Sequence, residues 1–419
     1  MSIPTVDLTS SGVGFVAWSE RVFGSDCSRI WVNRNAAGAW GPPIEIGIEQ
    51  GILPSVAANA NGDAVLVWVE RGLSLANCGG TIATGTELRA SRYSAASNTW
   101  TPSVRISTNV FSPSVVIDAA GRATVVWIQD PGTTPTGLPT ISWSRFNGTS
   151  WSAPAALSDG TRGVDEPVLG QDGSGNILVL WQQQTNLFNS GLPILPNIWF
   201  ARFTATSGTW SAPVRIGSPD LSGTNDAAGH ARIAVNASGN AVAVWRETRS
   251  TVGSIVSARF SSGTWTSPVL IENNTQPADR PEVAIDVNGN AQAVWMQKID
   301  GSQTNESGYT ARFDAAAAGW GAPQLFEQST ELVFAPVVGM DDTGRALIAW
   351  EQTNPGTGPI HAVHFTPASG FGTPVHFAGN SVSLAVNGGG TALLASAVSS
   401  IEPAPLFFGE SIRGAIFQP

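Results

Sequence analysis

Three segments of the chain carry charged residues that interrupt an otherwise repetitive, weakly charged sequence. They are SDGTRGVDEP, SPDLSGTNDAAGHAR and ENNTQPADRPE, and each leads into an apolar stretch. A carboxylate, an imidazole and a guanidinium lie at or beside the start of those stretches, at Glu166, His230 and Arg280. Brought together, such groups bind polar ligands or cations and can support acid–base chemistry. The segments therefore predict a site if the fold places them side by side.

The predicted site draws on charged residues from all three segments and contains no assigned catalytic residue. The alternative is that these side chains are solvated and form only local ion pairs. The ligand-binding candidates are Asp165, Glu166, Asp226, His230, Arg232, Asp279, Arg280 and Glu282.

The elements that position these residues belong to an internal repeat. An alternating apolar run ends in Trp once per repeat, as in NGDAVLVW at Trp68 and SGNAVAVW at Trp245. From Trp18 to Trp350, six intervals span 332 residues, about 55 per repeat, which is in the range of propeller blades. Each repeat holds four strand signals, and an Asp/Asn-x-x-Gly turn separates the first two.

Four strands repeated in this way predict an all-β, eight-bladed β-propeller of four-stranded antiparallel blades. The last blade lacks its outermost strand. The alternative is seven-bladed, with seven regular blades and a nonstandard eighth repeat. The whole chain forms one domain, with predicted blades at 1–50, 51–109, 110–162, 163–226, 227–277, 278–331, 332–378 and 379–419.

Two polar positions recur once per repeat and are interpreted as framework. An arginine recurs on the third strand, for example Arg202 and Arg259, with His364 in its place in the seventh repeat. Glu or Gln recurs two residues after the second-strand Trp, and its mixed identity argues against titration as its role. This structural ring consists of Glu20, Glu70, Gln129, Gln183, Glu247, Gln297 and Gln352.

The turn into the fourth strand repeats as SGTWSAP (207–213), SGTWTSP (262–268) and NGTSWSAP (147–154). This pattern resembles the Asp-box repeat, S-x-D-x-G-x-T-W, of sialidase-like β-propellers, although most copies here lack the Asp. The resemblance implies the fold. In that family a Tyr paired with Glu is the nucleophile, but Tyr93 and Tyr309 lie on framework third strands, so we predict no sialidase chemistry.

The composition excludes several partners. A formal net charge of −10 removes the basic surface that nucleic acids require, and no apolar run is long enough to span a membrane. Cys27 and Cys78 fall in loops of adjacent repeats and are predicted to form a disulfide. Together with the low lysine content, the pair favours an extracellular or periplasmic protein; a cytoplasmic one is the alternative.

No motif predicts a cofactor or metal. His361 and His364 are three residues apart on a strand and therefore point to opposite faces, so they cannot share an ion. A Ca²⁺ bound by loop aspartates and backbone oxygens is left open.

We predict an exported binding module, rather than an enzyme, that recognises carbohydrate or another surface polymer through one loop face. Two alternatives remain. One is a propeller glycoside hydrolase or lyase that uses the loop carboxylates and His230. The other is a structural or adhesion protein that binds protein partners.

Overall fold

The computed structural model describes most of the chain as β-strands joined by turns. Side chains are described as far as residue 397. The described residues are 4–21, 27–36, 38–47, 50–71, 85–132, 137–186, 195–221, 223, 226–273, 275–299, 306–327, 331–352, 359–402 and 407–417.

The strands form eight antiparallel sheets, numbered here as blades in chain order. Blade 1 contains β1 (Thr5–Leu8), β2 (Gly14–Arg21), β3 (Ser28–Ala36), β4 (Ala39–Trp40) and β5 (Ile44–Glu45), and blade 2 contains β6 (Gln50–Ala58), β7 (Ala64–Arg71), β8 (Thr86–Ser94), β9 (Thr99–Trp100) and β10 (Val104–Thr108). Blade 3 contains β11 (Val110–Ile117), β12 (Ala123–Gln129), β13 (Thr140–Arg145) and β14 (Ala155–Ala156). Blade 4 contains β15 (Val164–Gln171), β16 (Ile177–Gln184), β17 (Pro196–Thr204), β18 (Thr209–Trp210) and β19 (Val214–Arg215).

Blades 5 to 8 repeat the arrangement. Blade 5 contains β20 (Ala227–Val235), β21 (Ala241–Arg249), β22 (Val252–Ser261), β23 (Thr264–Trp265) and β24 (Val269–Leu270), and blade 6 contains β25 (Ala278–Ile285), β26 (Ala291–Lys298), β27 (Glu306–Asp314), β28 (Gly319–Trp320) and β29 (Gln324–Leu325). Blade 7 contains β30 (Val333–Met340), β31 (Ala346–Gln352), β32 (Ile360–Thr366), β33 (Gly370–Phe371) and β34 (Val375–Phe377). Blade 8 contains β35 (Asn380–Val386), β36 (Ala392–Glu402) and β37 (Phe407–Phe417).

The sheets are arranged as a β-propeller. The first strand of each blade contacts the first strand of the next, and β35 contacts β1, so the first strands form the inner ring. Blades 1 to 7 have four or five strands and are the complete blades, as the seven-bladed alternative has it. The eighth sheet has three strands in the described residues and completes the ring without an outer strand, as the sequence predicts.

Face-to-face packing closes the ring between blades 8 and 1. Leu8 and Val16 of blade 1 pack with Leu393 and Ala395 of blade 8 in one buried cluster. Asn387 Nδ2 also donates to the Thr9 carbonyl at 3.1 Å across the same boundary. Closure therefore needs no exchange of strands between the chain ends.

The core lies between the blades. Second strands are buried on both faces because each blade packs against two neighbours, which explains their nearly continuous apolar runs. The second-strand indoles of blades 2 to 7 are buried, at Trp68, Trp127, Trp181, Trp245, Trp295 and Trp350. The fourth-strand indoles are half-buried, and Trp265, for example, packs edge-on against Phe200 of the preceding blade.

The repeated turns have a side-chain mechanism. Asp118 Oδ1 accepts hydrogen bonds from the backbone N–H groups of Ala120 and Arg122, at 3.0 and 2.8 Å. Gly121, at φ 74°, supplies the left-handed residue that the turn requires. Other aspartates at this position also accept the backbone N–H four residues later, for example Asp172, Asp286 and Asp341.

The recurring third-strand arginines stack on the aromatic ring of the following blade. The guanidinium carbon of Arg92 lies 3.8 Å from the centre of the Phe146 ring, and that of Arg259 lies 4.1 Å from the centre of Phe313. The sequence predicts only a framework role for these arginines, and the described contacts show that they form cation–π interactions between blades. In the described part of the chain no helix is long and apolar enough to cross a membrane.

Candidate functional site

A β-bulge interrupts the first strand in blades 2 to 8. In blade 5, for example, the pairing of β20 with β21 shifts by one residue between Gly229 and Arg232. The residue at the bulge has a positive φ, which re-aims its side chain away from the regular alternation of the strand. We call these the bulge residues: Leu53, Ser112, Glu166, His230, Arg280, Ala335 and Ser381.

The three charged residues singled out from the sequence are the bulge residues of blades 4, 5 and 6. Glu166, His230 and Arg280 have φ values of 49°, 54° and 51°. They therefore occupy one equivalent position on three consecutive blades of the inner ring. In blades 2, 3, 7 and 8 the same position holds an apolar or small residue, so the ring presents charge on one side only.

His230 connects the three blades. Its Nδ1 lies 3.1 Å from Asp279 Oδ1 of blade 6, and its Nε2 lies 3.7 Å from Glu166 Oε1 of blade 4. The backbone N–H of His230 also donates to Glu166 Oε2 at 2.7 Å. The imidazole is thus held between two carboxylates from the neighbouring blades, with its ring still half-exposed.

The carboxylates favour the protonated imidazole. The hydrogen bond to Asp279 is the main cause that raises the pKa of His230 above its ordinary value, and the charge of Glu166 adds to it. Burial alone would raise the pKa of Asp279. Hydrogen bonds from the His230 ring and the Arg280 backbone, with the charge of Arg246, bring it below the ordinary value.

A small open pocket of about 130 Å³ lies beside His230, between blades 4 and 5. Gln182, Gly229, His230 and Arg246 are among the residues that line it. At about 30 Å³ for each water in the liquid, this space holds roughly four water molecules or one polar substituent of a larger ligand. Arg246 Nε lies 3.9 Å from Asp279 Oδ1, so the pocket and the histidine share a carboxylate.

Arg246 is a residue that the sequence argument missed. It follows Trp245, at a position where the other repeats have Ser19, Val69, Ile128, Gln182, Met296 and Glu351. Only this repeat has a cation there, and that departure from the repeat was the available signal.

Arg280 is the exposed cation of the site. Its backbone N–H donates to Asp279 Oδ1 at 2.7 Å, but among the described residues its guanidinium has no ion pair. Arg232 differs, because its Nε donates to Glu282 Oε1 at 2.7 Å and the two charges neutralise each other. That interaction raises the pKa of Arg232.

Two other candidates make contacts with the backbone of their own blades. Asp226 accepts from the backbone N–H groups of Gly223 and Ser250, at 2.8 and 3.0 Å. Asp165 is exposed, and its Oδ1 accepts the N–H of Glu166 at 2.8 Å, which supports the bulge. The structure therefore brings together Glu166, His230, Asp279 and Arg280, and places Asp226 apart with a local role.

The predicted polar ring contacts the second-strand indoles. Each Trp in blades 3 to 7 donates its indole N–H to the Glu or Gln two residues later, at distances of 2.7–3.2 Å. Several members of this ring also bind the backbone of the segment that connects one blade to the next. For example, Gln129 Nε2 donates to the Thr108 carbonyl at 2.7 Å. In blade 2, Glu70 forms an ion pair with Arg89 instead, at 2.7 Å. Glu20 occupies the same position on β2. These contacts support a structural role for the ring.

The disulfide and the metal predictions stay predictions. Cys27 is buried and Gln50 Nε2 lies 3.7 Å from its sulfur, but Cys78 lies outside the described residues. Among the described residues, no three or more His, Cys, Asp or Glu side chains are grouped to bind a metal ion. A Ca²⁺ held by loop aspartates and backbone oxygens likewise stays a prediction.

The chain matches no protein-family model and no curated protein. Among solved structures it is similar to polysaccharide lyase Uly1, with 10% identity, a TM-score of 0.54 and coverage of 85% of this chain and 88% of that one. It is also similar to an ulvan lyase bound to -[GlcA(1-4)Rha3S]-, with 10% identity, a TM-score of 0.52 and coverage of 88% and 92%.

A third similar structure is the intramolecular trans-sialidase of Ruminococcus gnavus, with 11% identity, a TM-score of 0.43 and coverage of 84% of this chain and 90% of that one. The neighbours thus include sialidases together with other glycosidase and lyase β-propellers. At these identities the likeness concerns the fold alone, and the two lyase structures with TM-scores above 0.5 are the ones that support it.

Proposed function

We propose that this protein binds an acidic polysaccharide at the inner rim of blades 4 to 6. The observation that carries the proposal is the exposed guanidinium of Arg280, which has no ion pair in the described residues and lies at the bulge next to that of His230. An exposed guanidinium binds carboxylate or sulfate groups through paired N–H donors. We assign it the anionic group of the ligand.

The neighbouring groups suit the uncharged part of a sugar. Glu166 and Gln182 offer oxygen acceptors to hydroxyl groups, and Gln182 lines the pocket with the cation Arg246. The protonated His230 adds a second donor, because its pKa is raised by its contact with Asp279. A site with both acceptors and cations binds an acidic sugar in one orientation, which is the basis of specificity.

Two solved neighbours with TM-scores above 0.5 are described as polysaccharide lyases. They support the idea that this ring architecture accommodates a polysaccharide, while the specific residues are argued from this chain alone. We extend the proposal to location: a protein that binds such polymers meets them outside the cytoplasm, in the extracellular space or the periplasm. Protein partners in adhesion are the competing proposal.

The first experiment compares acidic and neutral glycans. We expect the protein to bind glycans with uronate or sulfate groups on an array, and to bind neutral glycans at least tenfold more weakly in calorimetry. Arg280→Ala should weaken binding of the acidic glycan by at least tenfold, since a charge-assisted contact contributes about 1.5–3 kcal/mol. Arg215→Ala is the matched control, because Arg215 is exposed on the outer strand β19.

Equal binding of acidic and neutral glycans, or equal losses for Arg280→Ala and Arg215→Ala, would reject the anionic ligand. Binding of a protein from the same environment, with no glycan bound at all, would favour the adhesion proposal instead.

A second candidate function, β-elimination at a uronate, is favoured by the contacts of His230. Asp279 holds Nδ1, which leaves Nε2 as the group that meets a substrate. In that reaction His230, which is neutral only above its raised pKa, takes the proton from C5. The electron pair forms the C4–C5 double bond, the C4–O bond breaks, and the leaving oxygen takes a proton from water. Arg280 would bind the carboxylate whose charge makes C5 acidic.

The elimination leaves an unsaturated sugar that absorbs ultraviolet light. If the protein is a lyase, incubation with an acidic polysaccharide produces this absorbance, and His230→Gln lowers kcat at least 100-fold because the base is missing. His364→Gln, on β32 of blade 7 and away from blades 4 to 6, should leave kcat unchanged. Binding without any unsaturated product rejects the enzyme and leaves the binding proposal intact.

A further inference from the structure

Two histidines face each other on the outer strands of blade 7. His361 on β32 and His376 on β34 are directly paired across the sheet. Their Nδ1 atoms are 2.9 Å apart, and their rings meet edge to face with centres separated by 4.3 Å. His364 lies three residues from His361 and on the opposite face, whereas His376 is 15 residues away, so the spacing in the sequence does not reveal this pair.

The surroundings hold His361 in place. Its ring stacks on Trp350, with centres 5.4 Å apart, and its Nε2 is buried with no hydrogen-bond partner. His376 is exposed and can be reached from solvent.

The pair is not part of the repeat. The same two cross-strand positions hold a different combination in each of four other blades, and none of these contains histidine. The combinations are Trp31 with Glu45, Trp199 with Arg215, Val256 with Leu270, and Tyr309 with Leu325. The propeller therefore does not require two imidazoles here.

We propose that His361 and His376 together bind one divalent transition-metal ion through their Nδ1 atoms. Metal–imidazole bonds are about 2.0–2.1 Å long. Two nitrogens separated by 2.9 Å then subtend an angle of about 90° at the ion. That angle belongs to square-planar or octahedral coordination rather than to tetrahedral zinc, and imidazole ligands in such geometry favour Cu²⁺ or Ni²⁺.

The rest of the coordination shell is water. No group of three or more potential protein ligands is present in the described part of the chain, so the ion exchanges with solvent. When both rings are neutral, binding releases no proton overall. The ring that donates through Nδ1 moves that proton to its Nε2, and both Nδ1 lone pairs then face the ion.

The test titrates tag-free protein with CuCl₂ or NiCl₂ in calorimetry, with visible absorption to report nitrogen coordination. We expect one ion per chain above the background set by the double variant His361→Gln/His376→Gln. Each single exchange should weaken binding at least tenfold, because one imidazole alone does not chelate. His364→Gln is the matched control, on the same strand and the opposite face, and should bind as tightly as the wild type.

Thermal unfolding separates a lost ligand from a lost fold. The ion should raise the unfolding midpoint of the wild type and of His364→Gln, but not of the single variants, whose midpoints without metal should match the wild type. Equal affinities of the wild type and the double variant, or an equal loss for His364→Gln, would overturn the proposal.

Discussion

The bulge of blade 5 and the bulge of blade 7 have the same backbone and different chemistry. His230 has φ 54° and contacts carboxylates from both neighbouring blades, whereas Ala335 has φ 43° and carries only a methyl group. A non-glycine residue in this region costs about 1–2 kcal/mol, so the sheet sustains the strain whatever the side chain does. The bulge is therefore a property of the repeat, and the charge on blades 4 to 6 is an addition to it.

The largest expected effect separates the framework from the bulges. Trp245 is fully buried between blades, and Trp245→Ala should lower the free energy of unfolding by about 3–5 kcal/mol. Denaturant titration should show the same cost for Trp127→Ala, since blade identity does not matter for the framework. His230→Ala should cost far less. Similar costs for His230→Ala and Trp245→Ala would break the distinction.

The next largest effect is a dependence of glycan binding on pH, which arises only from the charged bulge residues. The protonated form of His230 prevails below its raised pKa, so binding of an acidic glycan should weaken about tenfold as pH rises through that pKa. The stability contributed by the contact of His230 with Asp279 is lost in the same direction. Calorimetry at constant salt over a pH series should show this decline in the wild type and in Arg215→Ala. An equal decline in His230→Gln would assign it to another group.

Glycine substitutions at the bulges of blades 5 and 7 test the same comparison through smaller changes in stability. In Ala335→Gly, relief of the positive φ offsets the greater freedom of the unfolded chain, so the free energy of unfolding should change by less than about 1 kcal/mol. His230→Gly should cost more than Ala335→Gly in denaturant titration, because the contact with Asp279 is lost, and it should also weaken glycan binding about tenfold. Loss of binding in Ala335→Gly would show that the uncharged side of the ring also belongs to the site.

The smallest effect tests a contact common to the blades. Arg259→Leu removes a guanidinium stacked on Phe313 and should cost about 0.5–1 kcal/mol, with glycan binding unchanged. Arg215→Leu, on an exposed outer strand, should cost less in the same denaturant titration. If Arg259→Leu altered glycan binding, the framework arginines could not be separated from the site.

Much of the fold is predictable because its signals are local. The Asp118 turn needs only a carboxylate and a glycine three residues apart, and its side chain bonds to backbone groups within four residues. The spacing of Trp245 and Glu247 likewise predicts a polar group next to each indole, although the indole N–H as its donor was not foreseen. The sequence did not predict that the fourth strand is divided into two short strands, such as β23 and β24, which both pair with β22. It also did not predict the stacking of arginine on the next blade. Both depend on neighbours in space.

From the sequence alone follow the repeat, the propeller, its shortened last blade and the list of charged residues outside the repeat. Only the tertiary structure decided which of these residues meet. Glu166 and His230 are 64 residues apart, and their contact depends on a bulge whose one-residue shift leaves no mark in the apolar pattern. His361 and His376 are 15 residues apart on the paired strands β32 and β34. The register of these two strands depends on the segment between them, which includes the short strand β33. Local periodicity determines the blades, whereas distances across and between blades depend on register and ring closure.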